Sequence, residues 1–267
     1  MTITTDTKKK ATLRERGYSR GQIRAMKIGG LAAFLVIWQI AGSAKPDFYS
    51  SPTRVLSELR YQTFEGELIP LTIQSGITMF WGLTLAMLVG VTLGFLLGVV
   101  RPFSVAFEPW LVAFYSIPTV PWIPLIVIWW GIDRQFAIVV VIAGTSIQLA
   151  FSTAAGMRLT KRQFREVAAA YEIGGWTMFA KVLLPGAIPF IGGGMRLAIK
   201  HAFTAVLIAE YLVGLSGLGM MIRGARESLA TDLVFASAIA TMIVGFTLIA
   251  ISVAIERRLQ RWKPVAF

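Results

Sequence analysis

The 267 residues include no cysteine and one histidine, His201. The missing thiols exclude disulfides, thiolate metal sites and cysteine nucleophiles together. A single imidazole, with few carboxylates inside the apolar runs, leaves too little for a catalytic constellation in the membrane. Charge is scarce, at 15% of residues, and acid is scarcest: 14 Asp and Glu stand against 26 Lys and Arg. No Gly-Lys-Ser or Gly-Lys-Thr occurs, and the GLSGLG run at 214–219 has neither the spacing nor the preceding strand of a dinucleotide fingerprint. A nucleotide site on this chain is therefore not expected, and no metal or other cofactor either.

Apolar residues dominate instead. Hydrophobic residues make up 55% of the chain and the mean hydropathy is +0.67. Several uncharged runs are long enough to cross a hydrocarbon core of roughly 30 Å, which places the chain in the membrane class. The formal charge of +12 could suggest nucleic acid as a partner, but the basic residues sit at the termini and between the apolar runs rather than on one face. That distribution is the positive-inside pattern, with attraction to membrane lipids as its by-product. Residues 1–27 carry eight Lys and Arg without a small-residue cleavage pattern, so they are expected to be a basic cytoplasmic tail rather than a secretory signal.

In chain order, residues 28–44 form the first expected membrane helix, and 52–66 an amphipathic helix on the outer surface. Residues 71–100 form a second, longer span with Gly90, Gly94 and Gly98 at small-xxx-small spacing, read as helix packing or, less readily, as a dimer contact. The third run, 106–131, is interrupted by Pro109, Pro118, Pro121 and Pro124. Each internal proline frees a carbonyl that lipid cannot satisfy, so this segment, with Pro118, Pro121 and Trp122, is either pore-lining or merely kinked. The fourth helix, 136–155, bears a polar stripe that suits neighbouring helices or a water path. In the fifth, 188–213, Arg196, Lys200 and Thr204 share one face, His201 lies beside Lys200, and Glu210 stands nearer the outer end. Ionisable residues at that depth either line a path, here favouring an anion, or snorkel and hydrogen-bond to neighbours. The sixth helix is 233–255, followed by a basic tail at 256–267. Most Lys and Arg then fall on one side, with Lys45, Arg54, Arg60, Arg134, Arg223 and Arg226 opposite, so six helices with both termini cytoplasmic satisfy the bias.

Between the fourth and fifth runs lies a partly polar segment, 165–185. Glu166, Ala168 and Ala169 belong to a helix-forming stretch, Tyr171 and Glu172 follow, and Gly174 and Gly175 offer a break before Trp176, Phe179 and Val182 resume an apolar face. Pro185 is expected to close this second piece. On its own this reads as a water-facing helical element that meets another protein, or as an amphipathic connector without a partner.

The segment resembles the signature cytoplasmic loop of the permease subunits of binding-protein-dependent ABC importers: Glu-Ala-Ala, three residues, Gly, nine residues, Ile, one residue, Leu-Pro. Glu166, Ala168, Val182, Leu184 and Pro185 fall at matching positions, whereas Val167 replaces the first Ala and Glu172 stands where the family has Gly. The proline-broken run, with Ile117-Pro118, Pro124-Leu125 and Trp130-Gly131, is similar to the third helix of the nitrate, sulfonate and taurine subgroup. Gly194-Met195-Arg196 and Ala209-Glu210 echo further family positions. The resemblance implies an all-α, type I importer transmembrane fold, with domain 28–255 and a coupling loop at 156–187, in a bacterial inner (plasma) membrane. It implies two ATP-binding subunits, which would hold ATP and Mg²⁺, a second permease copy, most simply making a homodimer, and a periplasmic or lipid-anchored substrate-binding protein. The chain would then be no enzyme itself and would carry a small solute such as a sulfonate, nitrate or carboxylate. The competing class is an ion-coupled secondary transporter or channel using Arg196, Lys200, His201 and Glu210 as a relay. An intramembrane enzyme is the third class.

Overall fold

The computed structural model describes residues 20–44, 48–171 and 174–259. Among these, every regular element is helical: α1 (Arg20–Ala44), α2 (Pro52–Phe64), α3 (Leu68–Val99), α4 (Arg101–Ser116), α5 (Ile123–Trp130), α6 (Arg134–Ala170), α7 (Gly175–Met178), α8 (Leu184–Val213), α9 (Leu218–Glu227) and α10 (Thr231–Leu259). Among the described residues, five helices are long and apolar enough to cross a membrane, and α4 with α5, bent by 95° at their break, adds a sixth when the pair is counted as one broken span. The break follows from Pro118, because Ile117 before it takes an extended conformation (φ −87°, ψ 123°) that ends α4.

Several boundaries differ from the expected ones. The first helix starts at Arg20 rather than residue 28, since Ile23 to Lys27 are tolerable or good helix formers with no break among them. The fourth continues to Ala170 instead of stopping at 155, so most of the expected 156–187 loop is helix. Pro185 does not close the following piece: a π turn at Phe179–Leu183 absorbs the missing N–H, and a continuous span runs from Gly175 to Val213. At the C-terminus, the described part of the expected tail, through Leu259, is still α10.

The hub is α6. In its membrane segment 56% of residues are buried, against 6% in α1, which faces outward along nearly its whole length. Helices α3 and α6 lie close enough that a Cβ at Gly82 would strike Val141. At Gly90 it would strike the Ser146 carbonyl and Leu149, at Gly94 Ala150 and Thr153, and at Gly98 Met157. The small-residue stripe thus packs two helices of one chain. On the other flank, α8 turns a second row of small residues inward, Gly194, Ala198, Ala202, Ala205 and Ala209, beside Val206. The short α5 plugs the core where α3, α6 and α8 meet, its Ile123 and Ile126 packing with Met79, Phe136, Val140 and Ala202. Asp133 caps α6, its Oδ1 accepting the Phe136 N–H at 2.9 Å.

Glu210 joins α8, α3 and α9. It is 1% exposed. Ser75 Oγ lies 2.8 Å from both of its carboxylate oxygens, and Gly219 N–H donates to Oε2 at 2.9 Å. Ser75 Oγ in turn accepts the Leu218 N–H at 2.9 Å. The first free amides of α9 are satisfied by α8 and α3, and Gly217 must be glycine because a Cβ there would overlap the Glu210 carboxylate.

Four substitutions test this packing in the full chain in detergent. Replacing Gly94 by Leu wedges α3 from α6 and is expected to lower the melting temperature, at a cost of about 1–3 kcal/mol or more. Gly76→Ala, which meets nothing within 4 Å, is expected to leave it unchanged or slightly raised. Ser75→Ala leaves the Leu218 amide without its acceptor and is expected to cost about 1–3 kcal/mol, with Glu210→Ala costing more; melting curves equal to wild type for both would remove this buried junction from the stability of the fold.

Candidate functional site

The bend between α4 and α5 opens a cavity of about 600 Å³. Phe114, Tyr115 and Trp122 give it aromatic walls, Ser116, Thr119 and Ser146 give hydroxyls, and His201 reaches it from α8. Phe114 and Trp122 lie 5.8 Å apart between ring centroids, one on each side of the break. The Thr119 side chain rests over Gly144, where α6 has no side chain to oppose it. Hydroxyl donors, a single imidazole and aromatic faces form a lining that suits a small solute with one polar head and an apolar remainder. The α6 polar stripe divides accordingly: Gly144 and Ser146 line the cavity, whereas Thr145, Gln148 and Thr153, buried as Ser146 is, do not.

The sequence-derived path residues do not all meet here. Pro118, Trp122 and His201 line the cavity. Pro121 lies in the 3-10 turn Val120–Trp122 between α4 and α5. Arg196, Lys200, His201 and Thr204 form one exposed stripe on α8, with Thr204 Oγ1 bonded to the Lys200 carbonyl at 3.0 Å. Arg196 is ion-paired to Glu256 near the end of α10. Glu210 is nine residues, about two and a half helical turns, from His201 and is held by Ser75 and α9, so the four groups make no continuous relay. Two features escaped the sequence reading. Ser75 is an ordinary polar residue in an apolar run and gave no signal. Glu108, the one acid of the third run, did give a signal beside a basic turn, and it pairs with Arg158 at 2.6 Å.

In the segment 165–185, α6 continues through Glu166, Ala168 and Ala169 to Ala170, and the chain reverses around Tyr171–Gly174, with Glu172 outside the described residues. Gly175 takes φ +56°, a left-handed conformation that favours glycine, whereas Gly174 is extended at φ −135° and ψ −178°. Tyr171 and Trp176 are 75% and 76% exposed at the tip. Behind them Phe179 packs against Phe95 of α3 with centroids 4.0 Å apart and the rings tilted by 60°, and Leu183 is buried with Met157 and Ala187. Leu184 is partly exposed and Pro185 half-buried at the start of α8.

Comparison with known proteins agrees with this arrangement. Residues 64–261 match the family described as "Binding-protein-dependent transport system inner membrane component". The riboflavin transport system permease protein RibX of Chloroflexus aurantiacus is 30% identical over 236 residues, 87% of this chain and 88% of that protein. The taurine transport system permease protein TauC of Escherichia coli is 27% identical over 245 residues, 89% of each. A protein of Escherichia coli named for aliphatic sulfonates transport, SsuC, is 34% identical over 149 residues, which span 56% of this chain and 57% of that protein. Among solved structures, an inward-facing MetNI methionine ABC transporter gives a TM-score of 0.64 at 20% identity, covering 72% of this chain and 96% of that one. That likeness extends to the fold, a type I importer transmembrane subunit. The family match over most of the chain, the six spans and the broken third helix lead to one conclusion: this chain belongs to the binding-protein-dependent transport system inner membrane components and is a multi-pass permease subunit of an ABC importer.

Proposed function

We propose that this permease passes a small organic anion of the sulfonate or carboxylate class along the α8 face, and that the turn at 171–174 couples it to separate ATP-hydrolysing subunits. One observation carries the reading. Helix α6 and the span from Gly175 to Val213 form a hairpin whose tip is the exposed Tyr171 and Trp176 and whose arms hold Ser146 and His201 in the cavity wall. From the tip to the cavity those arms run about 36 Å (146–170) and about 39 Å (175–201) at 1.5 Å per residue and are helical, so a push at the tip is transmitted to the cavity as rigid-body motion. Bare aromatic side chains at the tip fit a groove on a partner protein.

The anion assignment rests on charge and on the relatives. Lys200, and Arg196 with its Glu256 partner, lie on the same exposed α8 stripe as His201 in the cavity wall, and aromatic walls accommodate an alkyl group. The proteins named for aliphatic sulfonates and taurine are relatives of this chain. A second copy of the chain, facing the α8 stripe, would close the open side of the path, and an external binding protein would deliver the solute. Arg101 at the start of α4 and Arg158, Lys161, Arg162 and Arg165 in the last third of α6 favour a cytoplasmic placement of the tip and of both termini. ATP and Mg²⁺ belong to the partner subunits in this scheme, in which the permease is the moving part and no catalyst. An ion-coupled relay lacks support, because Arg196 pairs with Glu256 and Glu210 is locked away from the cavity.

Two assays check the scheme. In proteoliposomes holding the permease, its ATPase subunits and its binding protein, Glu166→Ala and Gly174→Pro are expected to lower solute-stimulated ATP hydrolysis by about five-fold to a hundred-fold while the ATPase subunits alone stay active. His201→Ala and Thr119→Val are expected to lower uptake of taurine or a short alkanesulfonate with the ATPase response to binding protein retained; uptake at wild-type rate in both variants would remove the cavity from the path.

A further inference from the structure

We propose that the corner between α3, α4 and α6 is a binding site for the phosphate of an anionic phospholipid headgroup. A cavity of about 380 Å³ lies there, lined by Leu97, Gly98, Val99, Arg101, Ser104, Arg158 and Arg162. Arg158 is fixed in its wall. Its guanidinium donates to both carboxylate oxygens of Glu108 at 3.0 and 2.6 Å, to Ser104 Oγ at 2.9 Å and to the Leu97 carbonyl at 3.1 Å. Ser104 Oγ also donates to Glu108 Oε2 at 2.7 Å. Glu108 therefore balances Arg158 alone. Arg101 and Arg162 are exposed, and their side chains have no ion pair among the described residues, so the cavity keeps an excess of two positive charges. A phosphodiester matches them in charge and in its capacity for forked hydrogen bonds.

The position of the corner selects a lipid over a soluble anion or a protein partner. The apolar span of α3 ends at Val99 and that of α6 at Thr160, so the three arginines ring the level where hydrocarbon meets water. The α4 surface rising from the cavity mouth is apolar and open, with Val105 71% exposed, Phe107 and Trp110 exposed, and Phe103 stacked on Phe107 at 4.6 Å. That wall offers acyl chains a track leading directly from the headgroup site. The exposed tip at Tyr171 lies about nine residues, or roughly 13 Å, beyond Arg162 along α6, which separates the corner from the surface assigned to the ATPase. The site does not depend on which leaflet that is or on which solute is carried.

The function follows from the elements joined. A bound phosphate would tie the start of α4, which leads to the cavity bend, to α6, the arm that leads to the tip. The lipid would thereby hold the bend and the arm in register.

Native mass spectrometry of the full chain, released from mixed micelles of phosphatidylglycerol and phosphatidylcholine, tests this, with inorganic phosphate as competitor. Wild type is expected to retain phosphatidylglycerol over phosphatidylcholine by about ten-fold, and Arg101→Ala with Arg162→Ala to lose that preference. Arg101→Lys with Arg162→Lys, which keeps the charge, is expected to restore much of it, separating lost binding from lost folding. The proposal is overturned if the alanine pair retains the preference. It is also overturned if inorganic phosphate at low millimolar concentration displaces the lipid completely, since the site would then take a soluble anion. Loss of ATPase-subunit co-purification in the alanine pair with lipid preference unchanged would make the corner a protein contact instead.

Discussion

The close approach of α3 and α6 underlies the remainder of the structure. Lipid supplies no hydrophobic force between helices, so association depends on how near two backbones can come and how many atoms then touch. Gly82, Gly90, Gly94 and Gly98 remove the side chains that would hold the pair apart, and Val141, Leu149, Thr153 and Met157 fill the space. With that seam formed, α6 becomes a post against which α8 lays its own glycine and alanine row. The outward-facing α1, barely buried, has no such row and contributes mainly through the contacts of Trp38 and Gln39 with Ser50 and Thr53.

The broken third span illustrates the second constraint, that every backbone polar group at membrane depth needs a partner. Helix α4 can stop at Ser116 because the chain does not end in lipid. It turns by 95°, makes a short 3-10 turn through Trp122, and places α5 inside the α3, α6 and α8 core. The same turn creates the cavity, because a bent span next to Gly144 leaves volume that a straight helix would have filled. Cavity and buried plug are two consequences of Pro118.

Charges in this protein act as ties between helix ends. Arg54 and Ser50 meet Asp232 at one end, linking α2 and the preceding turn to α10. Arg196 meets Glu256, and Arg158 meets Glu108, nearer the other. Glu210 is the exception, buried in the bundle and satisfied by amides of α9 and the Ser75 hydroxyl rather than by a cation. These ties join sequence-distant helices.

Much of the architecture was legible in the chain itself. Six apolar runs, the amphipathic 52–66 segment, the proline break and the segment 165–185 follow from local composition, because in lipid each helix must satisfy its own backbone before it meets a neighbour. The continuation of α6 to Ala170 runs through a stretch whose residues favour helix. Local composition could not tell, however, that a π turn carries the chain past Pro185, which depends on how packed neighbours such as Met157 and Ala187 hold Leu183. Nor could it tell that of the polar residues on the fifth helix His201 faces the cavity, Arg196 is held by Glu256, and Glu210 is locked by Ser75 from 135 positions away. The sequence determined the spans and the family, since those are properties of single helices and short motifs. Only the tertiary structure decided which charges are ties and which face open space, because partners for a charge at membrane depth come from other helices and their identity is set by how the bundle packs.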